Sequence, residues 1–93
     1  MGNGKEREVD EQARRRLLGN LIALTMVAEH LNLEFCRTAA ILTRSRARDG
    51  LPRASSIEWI SAHCQLTKAD TADRVAIGEA MLKRFMRSQL SEA

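Results

Sequence analysis

Residues 17–35 read LLGNLIALTMVAEHLNLEF, and the spacing of their apolar side chains decides the fold. A first stripe recurs in steps of four, three, four, three and four residues, at Leu17, Leu21, Leu24, Ala28, Leu31 and Phe35. This alternation is the heptad spacing of a helix seam. Leu42 continues it, and residues 9–48 contain no proline. The sequence therefore predicts one long helix from about Asp10 to Arg48.

A second apolar stripe follows another side of the same predicted helix. At about 100° per residue, its members are Leu18, Ile22, Met26, Leu33, Cys36 and Ala40. Two short helices can cover one face of a long helix but can hardly cover both, so the spare face predicts a partner. The simplest partner is a second copy of the chain. The alternative is a monomer in which the following two helices wrap both stripes.

The long helix is predicted to end before Gly50 and Pro52. Glycine accepts the left-handed conformation that follows a helix, and proline just beyond cannot continue it. The segment Ser55–Glu58 then has the spacing of a capping box, in which a serine and a glutamate bond reciprocally to the backbone. A second helix is expected to run from there to about Cys64.

A third helix is predicted from Lys68 to about Gln89, with Thr67 as its N-cap. Its expected packing face is rich in alanine and comprises Ala69, Ala72, Val75, Ala76, Leu82 and Met86. Ile77 and Met81 lie on a different side, where a single core does not need them. They are therefore further candidates for contact with a partner.

Length and composition set the fold class. A chain of 93 residues with five glycines and one proline predicts a single all-α domain. Residues 1–9 are expected to be a flexible N-terminus and residues 10–90 the helical domain: one long helix, then a helix-turn-helix return, in a dimeric bundle. The apolar run of residues 17–28 is shorter than the ~20 residues of a membrane helix. No signal peptide precedes it, which predicts a cytoplasmic protein without membrane insertion.

Residues with catalytic or metal-binding potential are few. The two histidines, His30 and His63, and the two cysteines, Cys36 and Cys64, do not have the spacing of a zinc site. The sequence also contains no phosphate-binding loop and no nucleophile motif. It therefore predicts a protein that is not an enzyme and that holds neither a cofactor nor a metal.

Binding to DNA is the alternative function. The segment from Ile57 through Thr67 into the third helix has the outline of a helix-turn-helix. In that interpretation Lys68, Thr71 and Arg74 face bases. The residues that would hold phosphates are Arg44, Arg46, Arg48 and Arg53.

Two features count against DNA binding. Asp70 and Asp73 would bring negative charge into the groove, and Gln65 stands where the turn usually has glycine. The net charge of +3 permits a nucleic-acid partner without requiring one. The basic cluster near Arg44–Arg53 can equally be a helix end where arginine complements the dipole.

Four segments carry a resemblance to a known family: Ala47–Gly50, Ser55–Ile60, Cys64–Asp70 and Arg74–Leu82. Together they resemble the N-terminal helical domain of the actinobacterial 13E12 repeat family. The resemblance implies a helical module from an actinobacterial, phage or mobile-element setting. Members usually carry a C-terminal HNH nuclease domain, but the residues after Leu82 contain no such motif. Nuclease activity is therefore not carried over.

The sequence thus predicts a small non-catalytic interaction protein, encoded by a phage or mobile element, that binds a host protein through helical apolar faces and forms a homodimer. A helical or coiled-coil target suits such faces. The predicted interface residues are Leu17, Leu18, Leu21, Ile22, Leu24, Met26, Leu31, Phe35, Ile77 and Met81. The alternative is a helix-turn-helix-like DNA-binding regulator.

Overall fold

A computed structural model describes the backbone of residues 3–92 and the side chains of residues 7–89. Over the described backbone the chain forms α-helices and no strand, so the prediction of an all-α fold is confirmed. The helices are α1 (Asn3–Arg48), α2 (Arg53–Cys64) and α3 (Lys68–Glu92). The chain divides into two compact units, Met1–Leu31 and Asn32–Ala93.

The first unit consists of the N-terminal part of α1. The predicted helix start near Asp10 is wrong, because α1 already begins at Asn3. Lysine, glutamate and arginine fill positions 5–8, and these residues are strong helix formers that give the helix no reason to stop. Residues 1 and 2 of the predicted flexible N-terminus, and the side chains of residues 3–6, lie outside the described part. Every side chain described in this unit is exposed.

The end of α1 is as predicted. The helix ends at Arg48, and Gly50 follows in the left-handed region with φ of 85°. The amide of Gly50 donates to the carbonyl of Ala47 at 3.0 Å, and the amide of Leu51 donates to the carbonyl of Arg46 at 3.0 Å. These two bonds form the Schellman closure, which satisfies carbonyls that the helix itself leaves free.

The start of α2 differs from the prediction. The helix begins at Arg53, with Pro52 in the N-cap position and no side-chain capping bond. The predicted capping box at Ser55–Glu58 is therefore wrong, because Ser55 already lies inside the helix. Pro52 has φ of −62° and ψ of 151°, and its fixed φ prepares the chain for helical entry. The predicted end at Cys64 is confirmed.

A tight turn joins α2 to α3. Gln65 adopts the left-handed conformation, with φ of 56°, and the amide of Leu66 donates to the carbonyl of Ser61 at 3.1 Å. Thr67 is the N-cap of α3, as predicted, because its hydroxyl accepts the amide of Asp70 at 3.0 Å. The sequence thus forms here, with glutamine, a helix ending that usually requires glycine.

The core of the second unit draws on all three helices. Its buried cluster consists of Ala39, Ile57, Ile60 and Val75. The half-buried side chains of Phe35, Leu42 and Ala72 pack against this cluster. Gly78 of α3 lies directly against α1. A Cβ atom there would overlap the carbonyl oxygen of Cys36 and lie 2.8 Å from the Cβ of Ala40. The two helix backbones therefore touch at this point.

The packing face of α3 was predicted only in part. Of the six residues expected there, Val75 is buried and Ala72 and Leu82 are half-buried, but the other three are exposed: Ala69, Ala76 and Met86. Thr71 and Gly78 are buried instead. These two residues share a helix face with Val75 at spacings of four and three, but neither is an apolar residue that a hydrophobic pattern counts.

Candidate protein-interaction surface

The exposed apolar side chains of the first unit form the most prominent surface feature of the chain. Apart from Val9, they lie between residues 17 and 31, and each is between 55% and 68% exposed: Leu17, Leu18, Leu21, Ile22, Leu24, Met26, Val27 and Leu31. Val27 was not among the predicted interface residues, since it belongs to neither stripe. The others between residues 17 and 31 were predicted, and they lie on one continuous helix.

The surroundings of these side chains make an uncharged segment with charged ends. Residues 17–28 contain no charged side chain, while Arg14, Arg15 and Arg16 precede them and Glu29 follows. From Leu17 to Leu31 the first stripe extends about 21 Å along the helix. A helix that is apolar around most of its circumference is normally buried in a larger core. In the first unit, no described side chain provides such a core.

In the second unit the chain itself covers several later members of both stripes, although Leu33 of the second stripe is exposed. Phe35 of the first stripe packs half-buried against the core cluster, so part of its apolar surface is already used within the chain. Cys36 and Ala40 of the second stripe are buried where Gly78 approaches α1. Two helices therefore do cover both stripes, contrary to the prediction, but these covered positions belong to the second unit.

The apolar residues of α3 form a smaller surface. Ile77 is 46% exposed, and Met81 is half-buried. Phe85, which is 62% exposed, continues this line at the same spacing of four residues. The sequence prediction missed Phe85, although its position eight residues after Ile77 is a signal of one helix face.

Two of the predicted phosphate-binding arginines connect helices. The Nε of Arg46 donates to Oγ of Ser56 at 2.9 Å, and its guanidinium lies 4.3 Å from the ring centre of Trp59. Arg53 forms an ion pair with Glu79 at 2.8 Å. These contacts join α1 to α2 and α2 to α3, so the geometry gives both guanidinium groups a structural role.

Two of the predicted base-reading residues also make contacts within the chain. Lys68 lies 3.4 Å from a carboxylate oxygen of Glu58. Arg74 donates from Nε to the side-chain oxygen of Asn32 at 3.1 Å, and its guanidinium lies 5.6 Å from the ring centre of Phe35. Arg74 is therefore directed toward α1 and is half-buried.

Thr71, the third predicted base-reading residue, is wrong as a nucleic-acid contact, because its side chain is fully buried. Its hydroxyl donates to the carbonyl of Thr67 at 2.9 Å and lies 2.9 Å from the hydroxyl of Ser61. Arg44 and Arg48 remain exposed. Arg44 and Arg48 are therefore accessible to a phosphate, whereas Thr71 is not accessible to a base.

The free thiols and acidic groups form no recognisable reaction centre. Cys36 is buried and Cys64 is exposed, and both are free. Among the described side chains, no group of three or more histidine, cysteine or acidic residues is placed to hold a metal ion. In the described part of the chain, every helix is too short or too polar to cross a membrane.

A groove of about 270 Å³ is present in the second unit. Its apolar part includes Ala40, Leu82 and Met86, and charged side chains from Arg53 and Glu79 border it. Those two residues pair with each other, and Arg44 and Lys83 also line the groove, so its charged rim carries a positive excess.

Relatives would provide an independent route to function. The resemblance to the 13E12 repeat family stays a prediction that rests on motifs between Ala47 and Leu82. Compared with protein-family models, curated proteins and solved structures, the chain has no significant match.

Proposed function

We propose that this chain is a non-catalytic protein-interaction module that binds an amphipathic helix along α1 between Leu17 and Leu31. The observation that carries the proposal is the exposure of eight large apolar side chains, seven of them on the uncharged segment of residues 17–28 and the eighth at Leu31. Contiguous apolar surface of this kind is rare on soluble monomers and marks interaction sites. The first stripe supplies the anchors, and Leu18 and Val27 lie at its borders.

The spacing of the anchors indicates a helical partner. Steps of three and four residues place Leu17, Leu21 and Leu24 in one row, which is the arrangement that fits between the side chains of another helix. The second unit gives an internal precedent, since Ala39 of α1 packs there with Ile57 and Ile60 of α2. A partner helix would do for residues 17–31 what α2 and α3 do for the later part of α1.

The free energy available from this surface suits reversible binding. Four leucines of the first stripe, with Leu18 and Val27 at its borders, are 55–62% exposed. Burying the exposed part of each side chain would contribute about 1 kcal/mol to the free energy of binding, since a fully buried side chain contributes roughly 1.5–3 kcal/mol. Two matched surfaces give about 12 kcal/mol, against an association cost of about 4–15 kcal/mol. Binding is thus expected to depend strongly on concentration.

The cellular setting is part of the same proposal. The resemblance to the 13E12 repeat family supports an actinobacterial phage or mobile element as the source. Two free thiols are in keeping with a reducing cytoplasm. A DNA-binding regulator is not preferred, because Thr71 is buried and Arg74 contacts Asn32.

Site-specific photo-crosslinking tests the proposal. A benzoylphenylalanine is placed at Leu24 in cells that express the full chain, and the control carries it at His30, about 120° around the helix. We expect a discrete adduct from Leu24 that Leu21→Glu abolishes. The crosslinked peptide should carry apolar residues at spacings of three and four. Equal labelling from both positions, or an adduct to a non-helical peptide, would contradict the proposal.

A further inference from the structure

We infer that the helix which binds residues 17–28 is the same segment of a second copy of this chain, running antiparallel. The inference rests on the proposed function and adds the identity and direction of the partner. The pairing is centred between Ile22 and Ala23, the middle of the uncharged segment of residues 17–28. Each copy thus covers the first-stripe side chains of residues 17–28 of the other.

The sizes of the first-stripe residues are complementary in this register. The first stripe contains two kinds of position, those that follow a step of three residues and those that follow a step of four. In an antiparallel pair, each layer joins a position of one kind on one helix to a position of the other kind on the other helix. Centring on residues 22 and 23 places Leu17 opposite Ala28 of the second copy and Leu21 opposite Leu24 of the second copy. Each small alanine therefore meets a large leucine. A parallel pair would place Ala28 against Ala28 and leave a gap between the helices.

The charges at the ends of the segment favour the same direction. Arg14, Arg15 and Arg16 precede the apolar residues and Glu29 follows them. In the antiparallel register, Glu29 comes level with Arg16 of the second copy, which brings opposite charges to each end. A parallel pair would gather six arginines at one end, and like charges at that spacing repel.

The exposed state of the surface is compatible with this occupant. Leu17, Leu21 and Leu24 are each 60–62% exposed, and no side chain described in the first unit covers them. The apolar layers are also self-sufficient, because the pairs Leu17–Ala28 and Leu21–Leu24 lie within residues 17–28. No second protein is needed to complete the layers.

Disulfide trapping tests the identity and direction of the partner together. The background is the full chain with Cys64→Ser, which removes the exposed thiol while Cys36 stays buried. Leu17→Cys and Ala28→Cys are prepared separately and then mixed. The two positions are 11 residues apart, or about 16 Å, and a disulfide needs Cα atoms within about 7 Å. Only an antiparallel pair therefore joins position 17 of one copy to position 28 of the other.

We expect the mixture to give at least ten-fold more covalent dimer than either variant alone. The control is a mixture of Gly19→Cys and Met26→Cys. These two positions are level with each other in the same register but lie on the outer side of the helix, so this mixture should give no covalent dimer. Self-linked dimers from each single variant would overturn the antiparallel direction. Dimers from the control mixture in place of the first would overturn the use of the first stripe.

Light scattering separates this inference from the proposed function. The parent chain is expected to approach about 21 kDa at high concentration, twice its 10.4 kDa mass. A purely monomeric chain at about 100 µM, with no trapped dimer, would overturn the second copy as partner. Photo-crosslinking from Leu24 to a helix of another protein would then still support the proposed function, whereas its absence would remove both.

Discussion

Replacing Gly78 with alanine tests the close approach of α3 to α1. Alanine normally stabilises a helix by about 1 kcal/mol relative to glycine. Here the added Cβ would overlap the carbonyl oxygen of Cys36 and lie 2.6 Å from its carbonyl carbon. Because backbone atoms of α1 cannot rotate away, the helices must separate, and overpacking of this kind costs about 1–3 kcal/mol before contacts around Val75 are lost. We expect a net loss of about 2 kcal/mol.

Urea unfolding followed by Trp59 fluorescence measures this loss, since Trp59 is the only tryptophan. A loss of about 2 kcal/mol would lower the melting temperature of a domain this size by about 10 °C. Gly19→Ala is the matched control, because a Cβ at Gly19 meets nothing within 4 Å, and there helicity should rise. If Gly78→Ala is as stable as the parent chain, the reasoning about the α1–α3 contact is refuted.

Three further changes test the turns and the thiols. Gln65→Gly should raise the free energy of unfolding by about 1 kcal/mol, since glycine adopts φ of 56° without steric cost; a destabilised variant in urea unfolding would contradict this. Thr67→Ala should lower it by about 1 kcal/mol, because the bond to the amide of Asp70 is lost, whereas Thr67→Ser should retain most of it. In thiol titration with an aromatic disulfide, Cys64 should react at once and Cys36 only on unfolding; two fast thiols would contradict the burial of Cys36.

The helix ends were predictable where one residue has a local property that ends or begins a helix. Gly50 takes a positive φ that other residues avoid, and Thr67 offers a hydroxyl to the amide of Asp70. Both signals are local, so neighbouring sequence suffices to interpret them. Ser55 shows the limit of this approach, because Pro52 starts α2 earlier and leaves the serine inside the helix.

Packing between helices was less accessible to sequence reasoning. Thr71 and Gly78 are buried in α3, but a pattern of apolar residues passes over both. Thr71 is accommodated because Thr67 accepts its hydrogen bond, and Gly78 because the absence of a side chain lets α1 come close. Each depends on an atom of another turn or another helix, and a one-dimensional pattern does not contain that information.

The two stripes of α1 connect these points to function. Sequence reasoning treated each stripe as one surface along the whole helix, and from that it predicted one covered face and one free face. The second unit instead covers members of both, at Phe35 and at Cys36, so the division follows position along the chain. Apolar side chains in the first unit, such as Leu21 and Leu24, remain exposed. The case for a partner therefore rests on the part of α1 that has no neighbouring helix in its own unit, and an antiparallel second copy supplies such a helix with matching side chains.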